Sequence, residues 1–226
     1  MASDTRTLPP GRAASYTFTI TGPDGRPVTD FAVSMTKRLH FYAIRSDLTG
    51  FQHVHGHMTP DGTWTVPLAA LTPESWRVFA QFTPGNGLGK GQDFVLSRPL
   101  TVPGTATTSP LPAPSSSVTV DGYTLLFEGD LEHGLESPLT VTVGRNGEPV
   151  TDLQPYLDAY AHLTAFHEGD PAFAHLHPLT EVAGGRGGPV LRFMAEFPKS
   201  RKPAAVPAVQ DRWDAPHRHH RPARLT

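Results

Sequence analysis

Short runs of alternating hydrophobic and polar residues recur along the whole chain. Tyr16, Phe18 and Ile20 alternate with Thr17 and Thr19, and Leu139, Val141 and Val143 alternate with Thr140 and Thr142. Trp64, Val66 and Leu68 form a third set, and Trp76, Val78, Ala80 and Phe82 a fourth. Side chains on a strand point alternately to opposite faces, so a period of two predicts strands with one face buried. Pro23-Asp24-Gly25 and Arg145-Asn146-Gly147 carry turn chemistry at the ends of two such runs. The longest helical candidate, Gln154 to Ala165, has weak periodicity. Strands of this length at regular spacing predict an all-β chain of immunoglobulin-like antiparallel β-sandwiches.

The pattern occurs twice. His40, His53 and His55 are followed, each 122 positions later, by His162, His175 and His177. Gly25-Arg26-Pro27-Val28-Thr29-Asp30 recurs at the same offset as Gly147-Glu148-Pro149-Val150-Thr151-Asp152, and Phe51 as Phe173. Two tandem repeats are therefore expected. Pro103 to Ser117, rich in Pro, Ser and Thr, reads as an extended linker between them. The expected organisation is residues 1–102, a linker over 103–117, residues 118–200, and a tail over 201–226.

Both repeats read as truncated at the chain ends. Tyr123 to Phe127 makes a first strand for the second repeat, and its counterpart would precede the start of the first. The second repeat lacks an obvious match to Trp76–Phe82: Arg201 to Gln210 has no strand periodicity and two prolines. Codons for Ala204 to Gln210, shifted by one nucleotide, can encode R-L-F-L-Q-F-K, which resembles Arg77 to Phe82. The tail is accordingly expected to be irregular and frameshifted.

Composition narrows the possibilities. The 226 residues include 21 Gly and 24 Pro, and 38% are hydrophobic, which suits a turn-rich β protein. A net charge of −2 gives no electrostatic case for nucleic acid. There is no cysteine, so disulfides and thiolate metal sites are excluded. No segment approaches the ~20 apolar residues of a membrane-spanning helix. Residues Met1 to Pro10 do not form a signal peptide, so the chain itself leaves localisation open.

Histidine is the commonest metal-binding side chain. His53 and His55 on one strand would share a face, with Val54 turned inward, and His175 and His177 would do the same around Leu176. A third histidine from another strand, His40 or His162, completes a three-histidine set suited to a copper or zinc ion. His57 extends the row in the first repeat, where Leu179 stands in the second. Met35 and Met58 are additional soft ligands available to the first repeat only, and Asp47 and Asp170 lie near the pairs. The bland alternative is that these are polar residues at strand ends, with His40 and His162 bonded to a neighbouring carbonyl. His217, His219 and His220 fall in the tail and are set aside; His133 and His167 have no counterpart and read as solvated. No G-x-S-x-G elbow or phosphate loop is present, so a non-enzymatic protein is expected.

The segments G-R-P-V-T-D-F, L-H-F-Y-A-I-R-S-D-L-T-G-F-Q-H-V-H, G-T-W-T-V-P-L and W-R-V-F-A-Q-F resemble an uncharacterised group of actinobacterial secreted or membrane-anchored proteins. G-E-P-V-T-D-L-Q-P-Y-L-D-A-Y-A-H-L-T-A-F and F-A-H-L-H-P resemble the second half of the same group, so the likeness covers most of residues 8–198. That group is loosely described as heavy-metal-binding and is similar in layout to small copper-handling β-sandwich proteins. The resemblance implies an extracytoplasmic location. Gly56 stands where proline is usual, Asp158 and Ala161 where glycine is usual, and the export signal is missing. The competing reading is a metal-free sandwich that docks another envelope protein.

Overall fold

The computed structural model describes residues 1–108, 110–132, 134–168, 173–196 and 205–210. Among them every regular element is a β-strand. No helix is long and apolar enough to cross a membrane among the described residues. The chain divides into two compact units, residues 1–46 with 50–109, and residues 47–49 with 110–226.

The first unit contains β1 (Ala14–Thr19), β2 (His40–Arg45), β3 (Phe51–Val54), β4 (His57–Met58), β5 (Thr63–Leu68), β6 (Glu74–Phe82) and β7 (Phe94–Val102). They form two antiparallel sheets, ordered β1-β5-β4 and β3-β2-β6-β7. A three-stranded sheet facing a four-stranded one is the layout of an immunoglobulin-like sandwich. The core between them takes the inward residues of each alternating run: Tyr16 and Phe18, Trp64 and Val66, Trp76 and Val78. Phe41 from β2 sits among them, its ring centroid 5.5 Å from Tyr16 and 5.4 Å from Phe18. All six residues of β2 are buried, so its second face, which carries His40, Tyr42 and Ile44, is covered as well.

One feature of the connectivity places the candidate site. β3 pairs with β2, whereas β4 pairs with β5 in the opposite sheet. The chain therefore changes sheets between Val54 and His57. Gly56 sits at this crossing, where a Cβ would lie 2.6 Å from the Thr65 carbonyl oxygen and 2.8 Å from Val66 Cγ2. No side chain fits there without displacing β5, so the crossing requires glycine.

The second unit contains β8 (Ser117–Val120), β9 (Tyr123–Glu128), β10 (Glu136–Arg145), β11 (Glu148–Pro149), β12 (His162–His167), β13 (Phe173–Pro178), β14 (Val190–Glu196) and β15 (Ala205–Gln210). Their pairing runs β15-β12-β13-β14-β10-β9-β8, with β11 folded back on β10. The duplication is visible strand by strand: β10, β12 and β13 occupy the places of β1, β2 and β3–β4. β13 also changes partner, but earlier: it pairs with β12 through Phe173 and Ala174 and with β14 from His175 onward, whereas His53 still lies on the β2 ladder. Its core gathers Phe127, Leu139, Val141, Leu163, Leu176, Leu191 and Phe193.

The all-β expectation extends to the weak helical candidate, and one expectation about the tail is corrected. Gln154 to Ala165 contains no helix: Leu157 and Asp158 take positive φ values of 50° and 59° in a tight turn, and β12 follows. Residues 205–210 are not irregular: β15 lies antiparallel to β12, with Gln210 opposite His162, on the edge that β6 occupies beside β2 with Gln81 opposite His40. An open strand edge supplies a full row of backbone donors and acceptors, which an extended Ala/Val segment satisfies despite weak side-chain periodicity. Pro207 is compatible because β15 is the outermost strand of the sheet path, where one missing N–H is tolerated. The remainder of the tail, including His217, His219 and His220, lies outside the described residues.

Candidate metal centre

The strand register builds the first histidine group. On the β2–β3 ladder Tyr42 faces His53 and Phe41 faces Val54. One further step along the same register brings His55 level with His40. Because alternate residues share a face, His40, Tyr42, His53 and His55 collect on one side, while Val54 packs toward the core.

His40 is 2% exposed. Its Nε2 lies 3.0 Å from the Ser34 carbonyl oxygen. A carbonyl can only accept, so Nε2 carries a proton, and with Nδ1 unprotonated the ring presents a lone pair there. Nδ1 lies 3.1 Å from His53 Nε2 and 3.1 Å from His55 Nε2. The three ligand nitrogens all fall within 4.8 Å of one another. One lone pair is thus approached by two imidazole nitrogens, an arrangement that a single shared cation satisfies better than one N–H donor. With metal–nitrogen bonds of ~2.0–2.1 Å, a 3.1 Å separation corresponds to an angle of about 100° at the metal, within reach of tetrahedral coordination.

The groups that hold these rings are local. Ser34 and Lys37 exchange backbone hydrogen bonds of 2.8 and 3.0 Å around Met35 and Thr36, whose φ values are 45° and 63°. This two-residue turn aims the Ser34 carbonyl at His40. A carbonyl that fixes the far nitrogen of a ligand imidazole is the usual outer partner of a metal-bound histidine. Tyr42 stacks on His53 at 4.4 Å between centroids and 22° between planes. Its hydroxyl donates to Gln81 Oε1 at 2.9 Å. Burial pushes the Tyr42 phenol well above its ordinary range, so it remains a neutral donor.

The second unit repeats the turn and its carbonyl. Tyr156 and Ala159 exchange bonds of 2.8 and 3.2 Å, and His162 Nε2 lies 2.8 Å from the Tyr156 carbonyl oxygen. Ser34 and Tyr156 are themselves 122 positions apart. His177 is exposed on β13, and the side chains of His175 and His167 lie outside the described residues, as do His133 and Asp170.

His57 is separated from the group. It is exposed on β4, opposite Thr65 in the other sheet, because the crossing at Gly56 breaks the row that His53 and His55 begin. Met58 packs against the core. Asp47 accepts from the Thr49 amide and hydroxyl at 3.1 and 2.7 Å, as a turn aspartate does.

The His162 imidazole is held below its ordinary pKa by burial, partly opposed by its bond to the Tyr156 carbonyl. Its unfolded value is about 6.5. A depressed folded value means that the unfolded chain binds the proton more readily, so the contribution to stability is present above about pH 6.5 and is lost as pH falls through the folded value. Denaturant titrations of the metal-free protein between pH 7.5 and 5 are expected to show declining stability of the second unit, and His162→Gln to flatten part of that decline. An unchanged slope in the variant would remove His162 as a source.

Fold and site together define an immunoglobulin-like tandem β-sandwich protein with a partly buried three-histidine group that could hold a metal ion. The chain belongs to a family described as a domain of unknown function, DUF8832, whose signature matches residues 2–97 and 118–202, one match in each unit. No curated protein sequence matches the chain. Among solved structures, the chain is similar to a marsupial T cell receptor, at 10% identity and a TM-score of 0.26, covering 92% of this chain and 57% of the receptor chain. It is also similar to S. aureus TarS, at 8% identity and a TM-score of 0.23, covering 85% of this chain and 34% of that one. The sandwich assignment rests on the strand pairings themselves.

Proposed function

We propose that the protein is a non-enzymatic metal-binding protein of the cell envelope that takes up copper or zinc, with His40, His53 and His55 as the ligands of the first unit. The supporting observation is the convergence of three imidazole nitrogens on one point while the remaining nitrogen of His40 is held by Ser34. A set of neutral nitrogen ligands suits Cu(II) and Zn(II). The resemblance of the sequence to secreted and membrane-anchored proteins supports the location. The repeated turn, with its bond to His162, extends the reading to His162, His175 and His177 as ligands of the second unit.

Calorimetric titration with Cu(II) and with Zn(II) tests this, in a chain whose His217, His219 and His220 are replaced by Ala. Tight binding is expected in that background. His53→Ala with His55→Ala should remove the first-unit site, and the affinity of the intact site should fall as pH drops through about 6.5, where protons compete for the ring nitrogens. Binding that survives removal of both H-x-H pairs would refute the reading and favour the metal-free docking module.

A further inference from the structure

Three neighbouring strands place Gln81, Tyr42 and His53 in a row across one face of the β3-β2-β6-β7 sheet. Gln81 on β6 is the cross-strand partner of His40 on β2, and Tyr42 on β2 is the cross-strand partner of His53 on β3. Tyr42 therefore lies diagonally between the two. Its hydroxyl reaches back to Gln81 at 2.9 Å, and its ring covers the imidazole of His53 at 4.4 Å and 22°. Tyr42 is 4% exposed and Gln81 is 7% exposed. An exposed tyrosine rotates freely about its side-chain torsions; this one is buried, pinned at its hydroxyl and flanked by ladder partners on both sides.

We infer that Tyr42, anchored by Gln81, is the positioning residue of the histidine group, holding the His53 imidazole in its ligating orientation before any metal arrives. The inference rests on the metal-binding reading and deepens it. His40 and His53 are fixed by different means. The Ser34 carbonyl sets the plane and tautomer of His40 by a hydrogen bond. Tyr42 sets the plane of His53 by contact across its flat face. Stacking of this kind restrains tilt through the face of the ring, so it orients the ring without competing for the ligand nitrogen. An imidazole that must be frozen on binding costs side-chain entropy, and one frozen beforehand does not. The consequence is higher affinity and a narrower choice of coordination geometry. Outer partners of ligand histidines commonly carry 10–100-fold in metal affinity.

The sequence supports a division of labour along β2. Its alternate residues Phe41 and Ala43 belong to the core, and His40 and Tyr42 belong to the site face. In the second unit Thr164 stands 122 positions after Tyr42 and is buried. A threonine offers no ring to stack. The second unit therefore lacks this device at that position, and its histidine group is expected to bind the same metal more weakly.

The experiment measures Cu(II) affinity and the electron paramagnetic resonance signature of the first-unit site in the full chain, with His162, His175, His177, His217, His219 and His220 replaced by Ala. Tyr42→Phe keeps the ring but loses the hydroxyl bonded to Gln81, so it should lose about threefold with a broadened signature. Tyr42→Leu removes the stack and should lose about 10–100-fold in affinity and show altered or heterogeneous copper parameters. Near-ultraviolet circular dichroism and thermal melts report folding of each variant. Should Tyr42→Leu fail to fold, Tyr42→Phe combined with Gln81→Met keeps the ring but removes its anchor, and a loss of threefold or more with a broadened signature is expected. Parent-like affinity and signature in the folded Leu variant, or in the double variant, would overturn the positioning role while leaving the metal-binding reading intact. A parent chain that binds no copper would overturn both, which separates the two failures.

Discussion

Replacing His40 with Ala is expected to abolish metal binding by the first unit and also to weaken its fold. The two losses arise from different nitrogens of one ring. Nδ1 is the atom that both His53 and His55 approach at 3.1 Å, so its removal leaves two ligands that are restrained from closing around a smaller set. A loss of affinity beyond about 100-fold is expected, exceeding the roughly 10–100-fold carried by outer partners. Nε2 donates to the Ser34 carbonyl, which also accepts from the Lys37 amide at 3.0 Å, so alanine removes one of its two hydrogen bonds and the packing of a ring that is 2% exposed. A lost intramolecular hydrogen bond costs about 0.5–1.5 kcal/mol. His53→Ala should lose the metal equally but cost less stability in the metal-free state, since its ring is only half-buried. Zinc titrations together with metal-free denaturant curves of both variants separate the roles. A destabilised His40→Ala that still bound zinc with parental affinity would make His40 a core histidine bonded to a carbonyl and nothing more.

The sequence carries the tandem organisation and the identity of the three converging histidines because both depend on side chains in register. The alternation at Tyr16–Phe18, Trp64–Leu68 and Trp76–Phe82 corresponds to β1, β5 and β6. What it does not carry is the contribution of backbone. The Ser34 carbonyl that fixes His40 is a group every residue possesses, and the turn that aims it uses Met35 and Thr36 at positive φ, where Gly or Asn would have announced it. Its repeat at Leu157 and Asp158 is equally silent, which left Gln154 to Ala165 open to a helical reading. The exclusion of His57 follows from the change of pairing from β2 to β5 around Gly56, where a Cβ would meet Thr65 and Val66 of β5. Tyr42 is a common strand residue, and its role depends on lying between Gln81 and His53 from two other strands. One signal was available: the offset of 122 also relates Ser34 to Tyr156, although the two residue types differ.

Phe41→Ala is expected to have the largest effect on stability, and to carry the site with it. Phe41 is 0% exposed and lies in ring contact with Tyr16 and Phe18, so truncation opens a cavity at the centre of the first unit. Such substitutions cost about 3–5 kcal/mol, against a total of only about 5–15 kcal/mol for a typical domain. Phe41 lies between His40 and Tyr42 in sequence, and its backbone is the ladder partner of Val54, which separates His53 from His55. Loosening of Phe41 therefore loosens the frame on which all three histidines converge. The metal offers the reverse linkage: a ligand that binds only the folded state at 100 times its Kd adds about 2.7 kcal/mol. Zinc is thus expected to restore more than half of what a 4 kcal/mol loss removes, raising the denaturation midpoint of Phe41→Ala by about as much as it raises that of the parent. The rescue should vanish when His53 and His55 are also replaced. Urea denaturation with and without zinc reads both effects, using Trp64 and Trp76 of the first unit as intrinsic fluorophores. A loss under 1 kcal/mol would mean that Phe41 is not central to the core, and a midpoint indifferent to zinc in a folded variant would mean that the histidine frame does not take the metal.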